Sequence, residues 1–378
     1  MNLKLMVFSN SANGHFPEYI HHIYIGISKR SHLSAVFVVP ENFKTKLPLF
    51  NWPECERISF DYVSDSLLSW GDGTWYKRNY RFTRLLRSYA KKHNPSDILV
   101  LDLMLYMPYI SFMLPKRIKI SGILYEIYQY RWPVLTFPRK LATLVWHWIF
   151  AKCKCFKNVF LLNEYTMAEY NNNKYDTQHF RYLPDPFYPL PVPPEDFRDK
   201  YKIDKNKKIF FHFGSFGRKK GTIEILKSIY KLSKEEQNIF CFVFAGCIQS
   251  VIREEFYQWM EQIRQNTITK ILIFDEYCSY DFFAGWCSAC DAILVPYLEA
   301  YNSSGCIGYA AQFSKPVIGP SYGLLGKLIS DYGLGIQIPS INTENLHQAY
   351  HKVINTHING LPYLNQNTVD EFQKFILS

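Results

Sequence analysis

A chain of 378 residues is long for one domain, and two are expected. Hydrophobic residues make up 48% of it, enough for a large core, which excludes a disordered chain. The net charge of +10 directs attention to acidic partners: nucleic acid, anionic lipid or phosphorylated small molecules.

The chain opens on "MNLKLMVFSNSANG", whose apolar run is too short for a signal peptide and reads as a first strand. Short apolar runs then alternate with longer amphipathic stretches, the pattern of βαβ units in parallel sheets. Strands are expected at 3–8, 34–39, 97–101, 118–124 and 157–162, and again at 208–213, 239–245, 270–274, 291–295 and 316–318. The longest apolar stretch, 141–151, is interrupted by His147 and falls far short of the ~20 residues a bilayer span needs. Between the halves, "YLPDPFYPLPVPPEDF" carries six prolines in sixteen residues, which denies regular hydrogen bonding and makes a stiff connector. The organisation read from this is a first domain over 1–185, a linker over 186–204 and a second domain from 205. The fold class is α/β, with two open parallel sheets facing across a cleft and ligands held beyond the carboxyl ends of the strands.

Nine cysteines, odd in number and scattered, fit a reducing compartment better than a disulfide framework. Cys287 and Cys290 form the one C-x-x-C; without a second pair it is read as buried helix cysteines rather than a zinc site.

Two loops carry the chemistry. After the strand at 208–213 comes "GSFGRKKG", where Gly214 and Gly217 bracket a tight turn and Arg218, Lys219 and Lys220 precede a helix. Glycines let backbone approach a ligand, and cations at a helix start favour phosphate. It is neither a P-loop nor a dinucleotide fingerprint. After the strand at 291–295, Asn302, Ser303, Ser304 and Gly305 stand where another helix begins. Alone this is a serine cap and the first loop a solvated basic turn. Together they are two anion-ready helix starts in one domain, and a diphosphate held by both explains the pair.

These residues resemble the donor-binding half of GT-B glycosyltransferases, specifically the retaining family 4 (glycosyltransferase group 1) enzymes of bacterial polysaccharide synthesis. That family places G-R-x-x-x-x-K-G after a strand, and here Gly214, Ser215, Lys220 and Gly221 match the spacing. Ser215 stands at the family's arginine, so Arg218 or Lys219 supplies that charge. "CDAILVPYLEAY" and "AAQFSKPVIGPSYGLLGKLISDYGLG" resemble the family's later motifs. The family spaces two glutamates eight apart, one by the donor sugar and one on the ribose. Glu299 stands for the first and Tyr309 falls at the second, where a hydroxyl replaces a carboxylate. The resemblance implies two Rossmann-like domains, a second domain over 205–360, and a helix over 361–378 returning to the first. It implies a nucleotide-diphosphate sugar donor, a saccharide or lipid-linked acceptor, retention of configuration and a role in cell-surface polysaccharide synthesis.

In the first half, Gly14 and His15 open a helix after the first strand and Glu126 follows the strand at 118–124; by resemblance His15, Glu126 and Glu299 are the residues nearest the chemistry. Asp185 reads as a turn residue. No loop carries Asp-x-Asp, so no metal is expected, and no cofactor beyond the donor. A nucleotide-sugar epimerase of the same fold, or a non-catalytic partner subunit, remains the alternative. Residues 75–92 and 128–157 are crowded with aromatics and cations, which suits either an anionic membrane surface or a core with a solvated basic face. No nucleic-acid module is recognised. The expected place is the cytoplasm, with the inner face of the cell membrane as a surface to dock on.

Overall fold

A computed structural model describes residues 3–69, 74–193 and 195–378. Met1, Asn2 and Pro194, one of the linker prolines, lie outside the described residues. The chain divides into two compact units, 1–186 with 368–378, and 187–367.

The first unit follows the order β1 (Leu3–Phe8), α1 (Phe16–Ser28), β2 (Leu33–Pro40), β3 (Ile58–Val63), α2 (Trp75–His93), β4 (Asp97–Val100), β5 (Lys119–Leu124), α3 (Phe137–Lys152), β6 (Phe156–Leu162), α4 (Tyr165–Tyr175) and β7 (Phe180–Leu183). Its seven-stranded sheet runs β3-β2-β1-β4-β5-β6-β7, and each pairing is parallel. The order in which strands are added turns from one side of β1 to the other at β4, so this is the sheet's switch point.

The second unit continues with β8 (Lys208–Phe213), α5 (Thr222–Tyr230), β9 (Phe240–Ala245), α6 (Ser250–Asn266), β10 (Lys270–Phe274), α7 (Tyr280–Ala289), β11 (Ala292–Leu294), α8 (Gly305–Gln312), β12 (Val317–Pro320), α9 (Gly323–Asp331), β13 (Gly335–Ile338) and α10 (Thr343–Val353). Six parallel strands run β10-β9-β8-β11-β12-β13, with the switch between β8 and β11.

Central strands are covered on both faces, which is why β9, FCFVFA, is buried at every residue. Phe210, Phe242 and Phe244 meet α5, α6 and α10 through Ile225, Phe256 and Tyr350 in one cluster. Three strands the sequence reading passed over, β3, β7 and β13, are all sheet edges. Their half-exposed positions break the continuous apolar run that marks an interior strand: β3 carries Asp61, paired with His93, and β13 carries Gln337.

The last helix, α11 (Val369–Ile376), belongs to the first unit and packs on α1. Gly26 permits the approach, since a Cβ there would lie 2.8 Å from Leu377 and 3.0 Å from Gln373. Gln373 donates to the carbonyl of His22 at 2.9 Å. Among the described residues no helix is long and apolar enough to cross a membrane.

Candidate functional site: two loops beyond the second sheet

Both loops begin where β8 and β11 end, at the switch point of the second sheet. Backbone geometry brings them together. Gly214 and Gly246 adopt positive φ, and a Cβ on Gly246, just past β9, would stand 1.9 Å from the Gly214 carbonyl oxygen, which pins the first loop to the neighbouring strand end. Gly221, also at positive φ, passes so close to Pro296 that a Cβ would meet its carbonyl at 2.0 Å. The Leu298 N–H donates to the Lys219 carbonyl at 2.9 Å, joining the loops directly. The glycines are therefore required by contact between two backbones, not only by the turn.

A chain of polar groups runs across this junction. Lys220 Nζ donates to the Tyr297 hydroxyl at 2.5 Å and lies 3.9 Å from that ring's centroid. The Tyr297 and Ser304 hydroxyls are 3.1 Å apart, and Tyr297 also reaches the Cys306 sulfur at 3.5 Å. Ser304 is buried and stands at the cap position of α8, yet its side chain makes no cap bond. Its hydroxyl goes to Tyr297 and its carbonyl accepts from the Ile307 N–H at 3.2 Å, so at this helix start the N–H groups of Gly305 and Cys306 precede the first intrahelical bond.

Lys220 pairs with no carboxylate among the described residues, and burial pushes its ammonium down from the ordinary lysine value. Its neighbours behave otherwise. Lys219 is in an ion pair with Glu299 at 2.5 Å. Arg218 turns to α6, with Glu255 at 3.5 Å and the Val251 carbonyl at 3.2 Å. A cation held beside hydroxyls without a counter-charge pays desolvation, and an arriving anion would relieve it.

The structure thus gathers Lys219, Lys220, Glu299, Ser304 and Gly305 at one junction, below the turn at Gly214. Ser215 is exposed and accepts from Gln249 at 2.9 Å. Asn302 is exposed at the tip of the second loop, with Ser303 beside it. Tyr309 lies one turn into α8 and packs between Phe213 and Phe187, at 6.1 and 6.5 Å between ring centroids.

Two residues essential to the arrangement escaped the sequence reading. Tyr297 lies two residues past the strand expected at 291–295, inside "CDAILVPYLEAY", and nothing local in the sequence pairs it with the basic triplet. His212 lies in β8 as FFHF, a polar residue in an otherwise continuous apolar strand. Its ring nitrogens lie 2.8 Å from the Leu294 carbonyl and 3.0 Å from the Thr222 hydroxyl, tying β8, β11 and the start of α5. Burial pushes it down to about 3, so it stays neutral.

In the first unit, a cleft of about 340 Å3 opens beyond β1, β2 and β4, where Asn10, Ser11, Asn42, Asp65 and Asp102 stand among apolar residues such as Phe16, Leu68 and Leu105. Burial pushes Asp102 up to about 6, against backbone N–H bonds from Met104 and Leu105. Gly14 has positive φ with open space around it. His15 is exposed at the start of α1, 3.9 Å from Glu18. Glu126 pairs with Arg131 at 2.5 Å. Asp185 accepts from the buried Tyr19 hydroxyl, a structural bond that raises the tyrosine well above its ordinary value, after burial.

No family model matches the chain, and no curated protein matches it in sequence. Solved structures do. WaaG, a glycosyltransferase involved in lipopolysaccharide biosynthesis, aligns over 100% of this chain and 95% of its own at 14% identity, TM-score 0.65. Anabaena HepE, in complex with UDP, aligns over 99% and 98% at 13% identity, TM-score 0.69. A trehalose-phosphate synthase from Burkholderia xenovorans, in complex with glucose-6-phosphate, aligns over 99% and 100% at 12% identity, TM-score 0.68. With its two parallel-sheet Rossmann-like units, the chain has the GT-B fold of these glycosyltransferases.

Proposed function

We propose that the protein is a glycosyltransferase that moves a sugar from a nucleotide-diphosphate donor to a hydroxyl of a saccharide or lipid-linked acceptor in cell-surface polysaccharide synthesis. The observation that carries this reading is Lys220, a desolvated ammonium with no carboxylate partner among the described residues, set beside Tyr297, Ser304 and the start of α8. Cation, hydroxyl and free N–H groups converge, which is what a departing diphosphate requires. The charge that a metal ion would otherwise neutralise is met by Lys220, Lys219 and the helix start, so the transfer is metal-independent.

Within this reading the Gly214 turn and Ser215 approach the phosphates, while Asn302, Ser303 and Gly305 present polar groups from the second loop. Glu299 stands by the donor sugar, holding Lys219 in place. Arg218 supplies charge at longer range. Tyr309 takes the ribose position by a hydroxyl instead of a carboxylate. His15, Gly14 and Glu126 belong to the acceptor side, and the cleft of the first unit offers amide, hydroxyl and carboxylate groups that suit sugar hydroxyls. Retention of configuration and membership of the retaining family 4 rest on the motif resemblance in the second unit. Three glycosyltransferase neighbours of the same fold, one with UDP bound, support the class of reaction.

Calorimetry against a panel of nucleoside diphosphates, followed by assay of donor hydrolysis with the matching nucleotide sugars, tests the proposal. Binding of one diphosphate without added metal, and its release from a nucleotide sugar, is the expected result. Absence of binding across the panel would overturn it.

A further inference from the structure

We propose that the outward face of α3, together with the adjoining face of α2, docks on an anionic lipid bilayer. This goes beyond the assignment of the reaction and does not depend on it. In α3 the buried residues Thr143, His147 and Phe150 repeat at helical spacing and mark the side facing the core. Two residues back from Thr143, on the opposite side, Leu141, Val145 and Trp148 recur at the same spacing. They are 55%, 46% and 56% exposed, and Phe137 at the helix start is 79% exposed. An apolar stripe at the solvent apex of a helix reverses the usual order and has no partner within the described residues. Beside it, Leu144, Val145 and Trp148 line an apolar groove with Lys174 and Tyr175 at its edge.

The stripe does not end with α3. Trp146 meets Trp75 edge to face at 5.4 Å, and Trp75 and Tyr76 begin α2 as exposed rings. Tyr80 extends the aromatic surface through Tyr109 to the exposed Phe112, at 5.4 and 5.9 Å between centroids.

Charge identifies the occupant. Neither α2 nor α3 contains an Asp or Glu, whereas α2 alone has seven lysines and arginines. Lys77, Arg81, Arg84, Arg87 and Lys91 are exposed and pair with no carboxylate among the described residues. A second copy of this chain would set those cations against themselves. Nucleic acid would match the cations but offers little to Leu141 and Val145. Anionic headgroups over acyl chains satisfy both parts, with tryptophan and tyrosine at the depth their amphipathic rings prefer.

Co-flotation with vesicles tests this, using phosphatidylcholine alone and phosphatidylcholine mixed with phosphatidylglycerol. The protein is expected to float with the anionic vesicles only, and rising salt is expected to release it. A variant carrying Leu141→Ser, Val145→Ser and Trp148→Ser, all at exposed positions, is expected to lose about tenfold or more of the binding. A second variant with Lys77→Glu and Arg81→Glu is expected to lose a similar amount, with circular dichroism unchanged for both. Failure of the unaltered protein to float, or equal flotation of all three proteins, would overturn the proposal. So would a dimer seen by sedimentation that the serine variant abolishes in the absence of lipid.

Discussion

The two units place their candidate sites at the same topological position and line them with residues of opposite charge. In the first a cavity opens beyond the carboxyl ends of strands at the switch point of a parallel sheet, and in the second the two-loop junction stands at the corresponding place. In the first unit the loop after β1 has Gly14 in open space and an exposed His15, and Asp65 and Asp102 line the cavity. In the second, the loop after β8 is pinned to its neighbours by backbone contact and carries three consecutive cations. The fold supplies a place to bind; the residues on the loops choose the charge of what binds there. A carboxylate-lined cavity suits neutral hydroxyls, and a lysine-lined junction suits phosphate.

The largest expected effect separates the glycines. Gly246→Ala forces a methyl against the Gly214 carbonyl and should destabilise the second unit by about 3 kcal/mol in urea unfolding. Gly14→Ala, with the same sign of φ but nothing within 4 Å, should cost only about 1 kcal/mol. Equal losses would erase the distinction between a pinned loop and an open one. Next comes charge: Lys220→Ala should weaken binding of the diphosphate by about 1–3 kcal/mol in calorimetry. Arg218→Ala, already engaged with α6, should change it less than about twofold. Asp102→Asn, on the other unit, should leave it unchanged.

Stability should also depend on pH. His22 and His147 are pushed by burial down to about 4 and His212 to about 3, from an ordinary 6.5. Between those values the unfolded chain binds protons that the folded chain does not, so stability is full above 6.5 and falls as the pH drops. Asp102, raised from 3.8 to about 6, opposes this and offsets one of the three. The net loss from pH 7 to pH 6 should be about 2 kcal/mol, measured by urea titration at each pH. A flat profile would show that the histidines ionise within the fold. At the same junction Tyr297→Phe, which removes the hydroxyl linking Lys220 to Ser304, should cost about 1 kcal/mol of diphosphate affinity in calorimetry.

Interior strands such as β9 and β11 were legible as unbroken apolar runs because both faces of a parallel sheet are covered. Three of the four edge strands were not, since Asp61 in β3 meets the His93 side chain and Gln337 in β13 donates to the Gly326 carbonyl; the fourth, β10, keeps the apolar run KILIF and was read. The site was legible as a composition: glycines, cations and hydroxyls at two helix starts. What each group touches was not. Arg218 and Lys220 are two residues apart in one basic triplet, yet one meets Glu255 and the other Tyr297. Ser304 reads as a cap and instead hydrogen-bonds across to Tyr297. Such choices are decided by backbone approach from Pro296 and Leu298, which are distant in the chain and leave no local mark.

The return of α11 to α1 has a consequence for synthesis. Residues 187–367 leave the ribosome as an uninterrupted unit, whereas the unit begun at the amino end is completed by residues 368–378. Until they emerge, the face of α1 around Gly26 and His22 stands uncovered. The half translated first is therefore the last to close, and during translation it is the half that a chaperone would need to shield.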